Sequence, residues 1–241
     1  MVQCAEIISA LLFLGTVANA FSPTPLGYHK ARPFSHDKLK SQSNANDMSS
    51  FRFLGRGDRA IVREGCVLVA PNHEYNHFLM RSAVFIHAIG VDEYGETVAR
   101  GVIIDHPTAF TMGEMGGGSV SGMLADNVLY QGGDNGNDSA MLLHSVGQSI
   151  TSKDAETFHI SCGEEIGMSG VYEGGVQDAM DLVDQAVVQS DQFKFFFNYV
   201  QFTDRELEGM LSATDSDGDA WASLEVPSSF VLGDYGDRGD A

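Results

Sequence analysis

GCVLVAPNHEYNHFLMRSAVFIHAIGVDEYGETVARGVIIDHP, residues 65–107, decides how this chain folds. Three apolar runs, residues 66–70, 83–89 and 102–104, alternate here with polar connections punctuated by Gly, Pro and Asp-Glu. Each run is too short for a buried helix and is rich in Val and Ile, so the three read as adjacent strands of a core sheet. Between the second and third, Asp92-Glu93-Tyr94-Gly95 forms a hairpin-like connection, its glycine supplying the positive φ of a tight turn. Those two strands are expected to be antiparallel neighbours.

Further along, residues 111–115 start a short helix, and the run Gly116 to Gly122 (GGGSVSG) ends it in a mobile surface loop. That run lacks both GK[ST] and a GxGxxG between strand and helix, so it is no phosphate cradle. Residues 127–131 form a strand that stops at Gly132-Gly133, residues 134–138 a polar loop, residues 140–144 a returning strand, and residues 156–162 one more strand. Val176, Ala179, Met180, Val183 and Val187 share one face at 3.6 spacing, which predicts an amphipathic helix over 176–189. Residues 193–200, aromatic and β-branched, read as a central strand, and Thr203-Asp204-Arg205-Glu206 has the capping-box form that opens a helix to Leu211. The fold class is α+β: a single domain with a largely antiparallel sheet and two or three packed helices.

The set formed by LVAP at 68–71, the loop ending at Phe78, RSAVFI at 81–86, ARGVIIDHP at 99–107, LYQGG at 129–133 and MLLHS at 141–145 resembles the AlgH/YqgE-like family, in that family's order. The resemblance covers roughly residues 53–232. It implies the same α+β fold and marks Arg81, Ser82, Gly132, Gly133, His144 and Ser145 as family-motif residues. It supplies no settled biochemical activity; the family's "transcriptional regulator" label comes from bacterial genetics. One stretch departs from the pattern. The family's Gly-Tyr-x-Gly-Trp-x-x-Gly-Gln-Leu is here NYVQFTDREL, residues 198–207, which keeps Tyr199 and Leu207, has Phe202 for Trp, and replaces the three glycines.

Charge narrows the partners. The chain carries 14 Lys and Arg against 33 Asp and Glu, a net charge of −19. Residues 1–52 hold five of the basic and three of the acidic side chains, so the remainder has 9 against 30. Nucleic-acid affinity is built largely from basic side chains neutralising phosphates, so direct nucleic-acid binding is not expected, nor is attachment of the mature form to an anionic membrane. Three cysteines, Cys4, Cys66 and Cys162, without CxxC or zinc-finger spacing, form neither a disulfide framework nor a structural zinc site.

The N-terminus has the composition of a two-part leader. An apolar run over residues 7–17 closes on Ala18-Asn19-Ala20, whose small residues at −3 and −1 form a signal-peptidase site, although Glu6 and the absence of Lys or Arg depart from the usual n-region. Residues 21–52 then carry Lys30, Arg32, Lys38 and Lys40 among Ser, Pro, His and Asn. The junction Ala18-Asn19-Ala20-Phe21-Ser22-Pro23 resembles the ASAFAP motif of bipartite leaders in algae with secondary red plastids. The expected organisation is a signal peptide over 1–20, a disordered plastid transit peptide over 21–52, the domain over 53–232 and a disordered acidic tail over 233–241. The expected location is the chloroplast stroma, with secretion as the alternative.

Three constellations could carry chemistry. His73-Glu74-Tyr75-Asn76-His77 reads HExxH, which on a helix sets two imidazoles on one face for zinc and a Glu to activate water. Only ten or so residues separate the flanking strands, and Pro71 opens the stretch, so a surface loop is expected and the metal reading at His73, Glu74 and His77 stands as the alternative. Asp215, Asp217 and Asp219 imitate a calcium loop, but Gly218 falls fourth rather than sixth and Val226 occupies the twelfth position, so a solvated acidic loop is expected, with a partly hydrated cation as the alternative. His144 and Ser145, Arg81 and Ser82, and Asp105 and His106 could be drawn into a Ser/His/Asp triad, but no GxSxG turn exposes a nucleophile. The functional expectation is therefore a non-enzymatic plastid module that binds an unknown protein or small molecule and needs no cofactor. The alternatives are a transcriptional regulator acting through a partner protein, and a hydrolase, with or without a metal, at the His73/His77 or His144 site.

Overall fold

The computed structural model describes residues 51–116, 118–147, 149–151, 157–159 and 164–235. The leader over 1–50, Cys162 and the last six residues lie outside the described residues.

One strand ties the α+β domain together. β1 (Arg52–Arg56), β2 (Cys66–Val69), β3 (Ala83–Val91), β4 (Thr97–Ile103), β5 (Pro107–Thr111), β6 (Val128–Gln131), β7 (Asn135–His144), β8 (Ser149–Thr151), β9 (Thr157–His159), β10 (Tyr172–Glu173), β11 (Phe193–Thr203) and β12 (Ala222–Glu225) are joined by four short helices. These are α1 (Met112–Met115), α2 (Val176–Asp184), α3 (Asp204–Ser212) and α4 (Ser228–Val231). The sheet runs β1-β12-β2-β3-β4-β11-β6-β5, with β7 on β11 and β10 on β7, while β8 and β9 pair separately. Among the described residues, every pairing is antiparallel except β6 with β11.

The three opening strands form where the sequence places them, and β3 and β4 are antiparallel neighbours. Asp92 makes the turn between them, its Oδ1 accepting from the Tyr94 and Glu96 N–H groups while Gly95 takes φ +83°. β4 starts five residues before the apolar run because the far end of this hairpin, Ile89 to Val91, stands out from the core and pairs through its backbone alone.

β11 is buried on both faces. Phe193, Phe195 and Phe197 enter one core with Leu124, Leu142 and Val183, while Phe196 enters another with Phe85, Val102 and Tyr130. Asn198 then breaks the alternation with φ +60° and a register shift, after which Val200 and Phe202 enter a third core around Trp221. Asn198 occupies a family glycine position, and the left-handed backbone there explains the glycine: Asn is among the few residues that tolerate it.

Two expectations from periodicity are revised. β7 reaches back to Asn135, through the stretch read as a loop, because pairing with β11 uses backbone groups and leaves its polar side chains outside. The helix read over 176–189 ends at Asp184: Ala186 turns to φ +55°, and the Val187 N–H returns to the Leu182 carbonyl, although Val187 and Val188 still pack on the core. The glycine-rich loop after α1 is also more anchored than its composition implies, since Val120 is buried with Met112 and Leu124. Likewise, Gly233 to Tyr235, read with the tail, are held by Lys194 and Tyr130.

Candidate functional site

No helix forms over residues 71–82, so the HExxH residues lie on a chain of turns. Glu74 is fixed by structural bonds, its Oε2 accepting from Trp221 Nε1 at 2.5 Å and its Oε1 from the Asn76 N–H at 3.0 Å. His77 is exposed. The zinc-helix arrangement of His73, Glu74 and His77 is therefore not built.

His73 instead faces a loop 142 residues away. Its N–H donates to Asp215 Oδ2 at 3.2 Å, and its Nδ1 lies 3.6 Å from Asp215 Oδ2 and 3.2 Å from Asp217 Oδ2. Asp215 turns its own loop: Oδ1 accepts from the N–H groups of Asp217 and Asp219, at 2.9 and 2.8 Å. Burial would raise the Asp215 carboxyl, but the N–H groups of Asp219, Asp217 and His73, with the nearby imidazole, outweigh it and hold the group below the usual carboxylate range. The donor atoms of His73, Asp215 and Asp217 lie within 4.8 Å of one another, a spacing that a single metal ion would fit. The sequence offered the Asp-x-Asp-x-Asp pattern but nothing to tie it to His73.

His73 and Asp215 of this cluster line a cleft of about 540 Å³. The loop from Pro71 to Leu79 makes one wall, α3 and the residues after it another, and β11 from Val200 to Phe202 lies between them, beside Asp134 and Asn135. Thr203 holds α3 in place through a complete capping box with Glu206.

The other motif residues are placed elsewhere. Ser82 is buried and donates to the Leu79 carbonyl, and Asp105 Oδ1 accepts from the Ala83 N–H. Arg81 sits exposed at φ +58° beside them. His144 is wholly buried on β7, its ring stacked 5.8 Å from Tyr172, and neither ring nitrogen makes a hydrogen bond. Burial pushes its pKa down, opposed by the backbone at Val146 and Gly174. Among the described residues no serine or carboxylate bonds it, so His144, Ser145 and Ser82 do not assemble a triad there. Gly132 and Gly133 carry the chain from β6, on one edge of β11, to β7 on the other. A Cβ on either would overlap the β11 backbone at Asn198 or Tyr199.

The sequence reading missed Lys194, a lone cation in the aromatic run FKFFF. It is buried, and its Nζ donates to the carbonyls of Ile104, Val231 and Gly233 at 2.7, 3.3 and 2.7 Å. Tyr130 and Tyr235 flank it, with ring centroids 3.8 and 4.6 Å from Nζ. Burial pulls its pKa down to about 7, against the opposing charges of Asp234 and Asp105.

The AlgH-like family model matches residues 68–234, which takes in the residues lining the cleft, the crossing glycines and Lys194. The chain belongs to the AlgH-like family. Two solved structures resemble this AlgH-like chain. The solution structure of the AlgH protein from Pseudomonas aeruginosa is 14% identical, with a TM-score of 0.46, covering 70% of this chain and 80% of that one. A crystal structure of a Corynebacterium diphtheriae protein is also 14% identical, with a TM-score of 0.48, covering 80% and 87%. The chain has no significant match among the curated proteins. Among the described residues, no helix is long and apolar enough to cross a membrane.

Proposed function

We propose that this AlgH-like protein works through the cleft, as a binding module that holds a divalent cation at His73, Asp215 and Asp217 and a ligand beside it. The observation that carries the reading is the convergence of one imidazole and two carboxylates from segments far apart in sequence. An imidazole with two carboxylates suits a borderline or hard divalent metal. Asp215 is already ordered by backbone N–H groups, so little needs to move to bind the ion.

A metal-dependent hydrolase is the second reading, and a feature of the donor set favours it: three protein ligands leave coordination positions open to water and substrate. It would use His73 with the two aspartates rather than His73 with His77. Glu74, committed to Trp221 and Asn76, is not its base. The composition of residues 1–52 supports delivery to a plastid, where either activity would operate.

Paramagnetic Mn²⁺ added to the full chain tests the cation site. It is expected to broaden the amide signals of His73 and of residues 215–219, and His73→Ala with Asp217→Asn should abolish the effect. Absence of broadening at millimolar Mn²⁺ would remove the cation from the proposal. Turnover of chromogenic esters or phosphoesters by the metal-loaded chain, lost in the same variant, would select the hydrolase; no turnover would leave the binding module.

A further inference from the structure

β6 and β4 follow one another along one edge of β11. The Gly132 N–H bonds the Phe197 carbonyl, and the Ile103 N–H bonds the Gly132 carbonyl, so β4 takes over where β6 stops. β7 lines the other edge only as far as Tyr199, paired with Asn135. Beyond that point, Val200 to Thr203 pair with β4 alone, and among the described residues no strand covers their second edge.

That open edge lies in the cleft. Side chains alternate between the two faces of a strand, so consecutive residues border one cavity together only where the cavity meets the strand's edge. Val200, Gln201 and Phe202 all border this one. The remaining walls give the occupant its chemistry. Glu74, Asp134, Glu206 and Asp215 line the cleft beside Phe78, Leu79 and Met210, and no Lys or Arg lines it. Arg100, held behind Gln201 by an Nε to Oε1 bond of 2.9 Å, lies over the Tyr199 ring. The chain's net charge of −19 adds a long-range field of the same sign.

We infer that the cleft takes an extended peptide segment in which basic residues alternate with apolar ones, added as a strand to the open edge of β11 where β7 stops. The backbone groups of Val200 to Phe202 that β4 leaves unbonded would hold its backbone, the Thr203 N–H being taken by Glu206. The carboxylates would receive its basic side chains, and the apolar wall of Phe78, Leu79 and Met210 the others. This rests on the cleft being the working site, and needs no bound metal.

The probe is an acetylated, amidated hexapeptide of alternating Lys and Val, titrated into the full chain and followed by amide shifts and hydrogen exchange. Amides of residues 200–202 are expected to shift, and those that β4 does not already bond to gain protection, with affinity falling at least about tenfold between 50 and 200 mM salt. The Glu-Val counterpart should not bind, and a Lys-Val peptide N-methylated at alternate residues should bind at least tenfold more weakly. Gly209 faces open space on α3, so Gly209→Trp fills the cleft without a backbone clash; it should abolish peptide shifts while leaving Mn²⁺ broadening at His73 intact. Equal binding of the Glu-Val or N-methylated peptide, or protection appearing at another strand edge, would overturn the inference. Peptide binding without any Mn²⁺ effect would uphold it while removing the cation.

Discussion

Gly133 passes so close over Tyr199 that a Cβ on the glycine would overlap the Tyr199 carbonyl carbon and the Val200 nitrogen. The atoms in the way are backbone, so no rotamer change relieves the clash. Gly133→Ala is therefore expected to destabilise the domain by at least about 2 kcal/mol, the scale of overpacking a closed core, seen as a lower urea midpoint with an unchanged m-value. Gly147, whose Cβ would meet only the end of the Tyr172 ring at 3.7 Å, is the control, and Gly147→Ala should cost much less.

Lys194 should make stability depend on pH in a direction unusual for a lysine. Its pKa is about 7 in the folded chain and about 10.4 when unfolded, so above pH 7 the unfolded chain holds a proton that the folded chain has released. Stability is expected to rise from pH 7 to 8.5, with a slope of at most about 1.4 kcal/mol per pH unit. Lys194→Met should flatten that slope in urea titrations. Cys66, whose thiol burial raises, opposes it from about pH 8, where an unfolded cysteine begins to ionise, and Tyr130, also raised by burial, only at higher pH.

The capping box of α3 gives a smaller, acid-side effect. Glu206 accepts from the Thr203 N–H at 2.8 Å and from its hydroxyl at 2.9 Å, and these bonds hold its carboxyl below the ordinary range. A depressed carboxylate contributes stability that is present above its unfolded pKa and lost as pH falls through the folded value. Thr203→Ala should cost about 1 kcal/mol at pH 7, and the difference from the parent chain should shrink below about pH 4.

The leader can be tested apart from the domain. Residues 1–52 fused to a fluorescent protein are expected to enter the plastid in cells with secondary red plastids, and Phe21→Ala should stall the fusion outside it. Unchanged import of that variant would refute the role given to Phe21; secretion of the intact fusion would refute the plastid.

Most of the sheet was legible because its strands are apolar and short, with turns marked by Asp and Gly. β11 was legible from Phe193 to Val200 through its aromatic and β-branched residues, but its continuation over Gln201 to Thr203 was not, because that stretch pairs with β4 through its backbone. The cleft was not, because its parts share no local pattern: His73 and Asp215 are 142 residues apart, and Asp215 looks like any acid in a polar loop until its bonds to the Asp217, Asp219 and His73 N–H groups are seen. Paired glycines at 132 and 133 read as a stop signal, whereas their work is to let one segment cross another. Lys194 was hidden among phenylalanines, since period-2 alternation shows that it faces inward but not that three carbonyls await it.

The position of β11 in the chain also bears on how the protein is made. Arg100 and Gln201, bonded neighbours on β4 and β11, are separated by 101 positions, so a ribosome working at about 5–20 residues per second needs roughly 5–20 seconds to add the second after the first. Throughout that interval the β2-β3-β4 meander presents a Val- and Ile-rich edge with no strand to cover it. The sheet closes only when the last fifth of the chain arrives, and until then the free edge of β4 is open to pairing with any other strand.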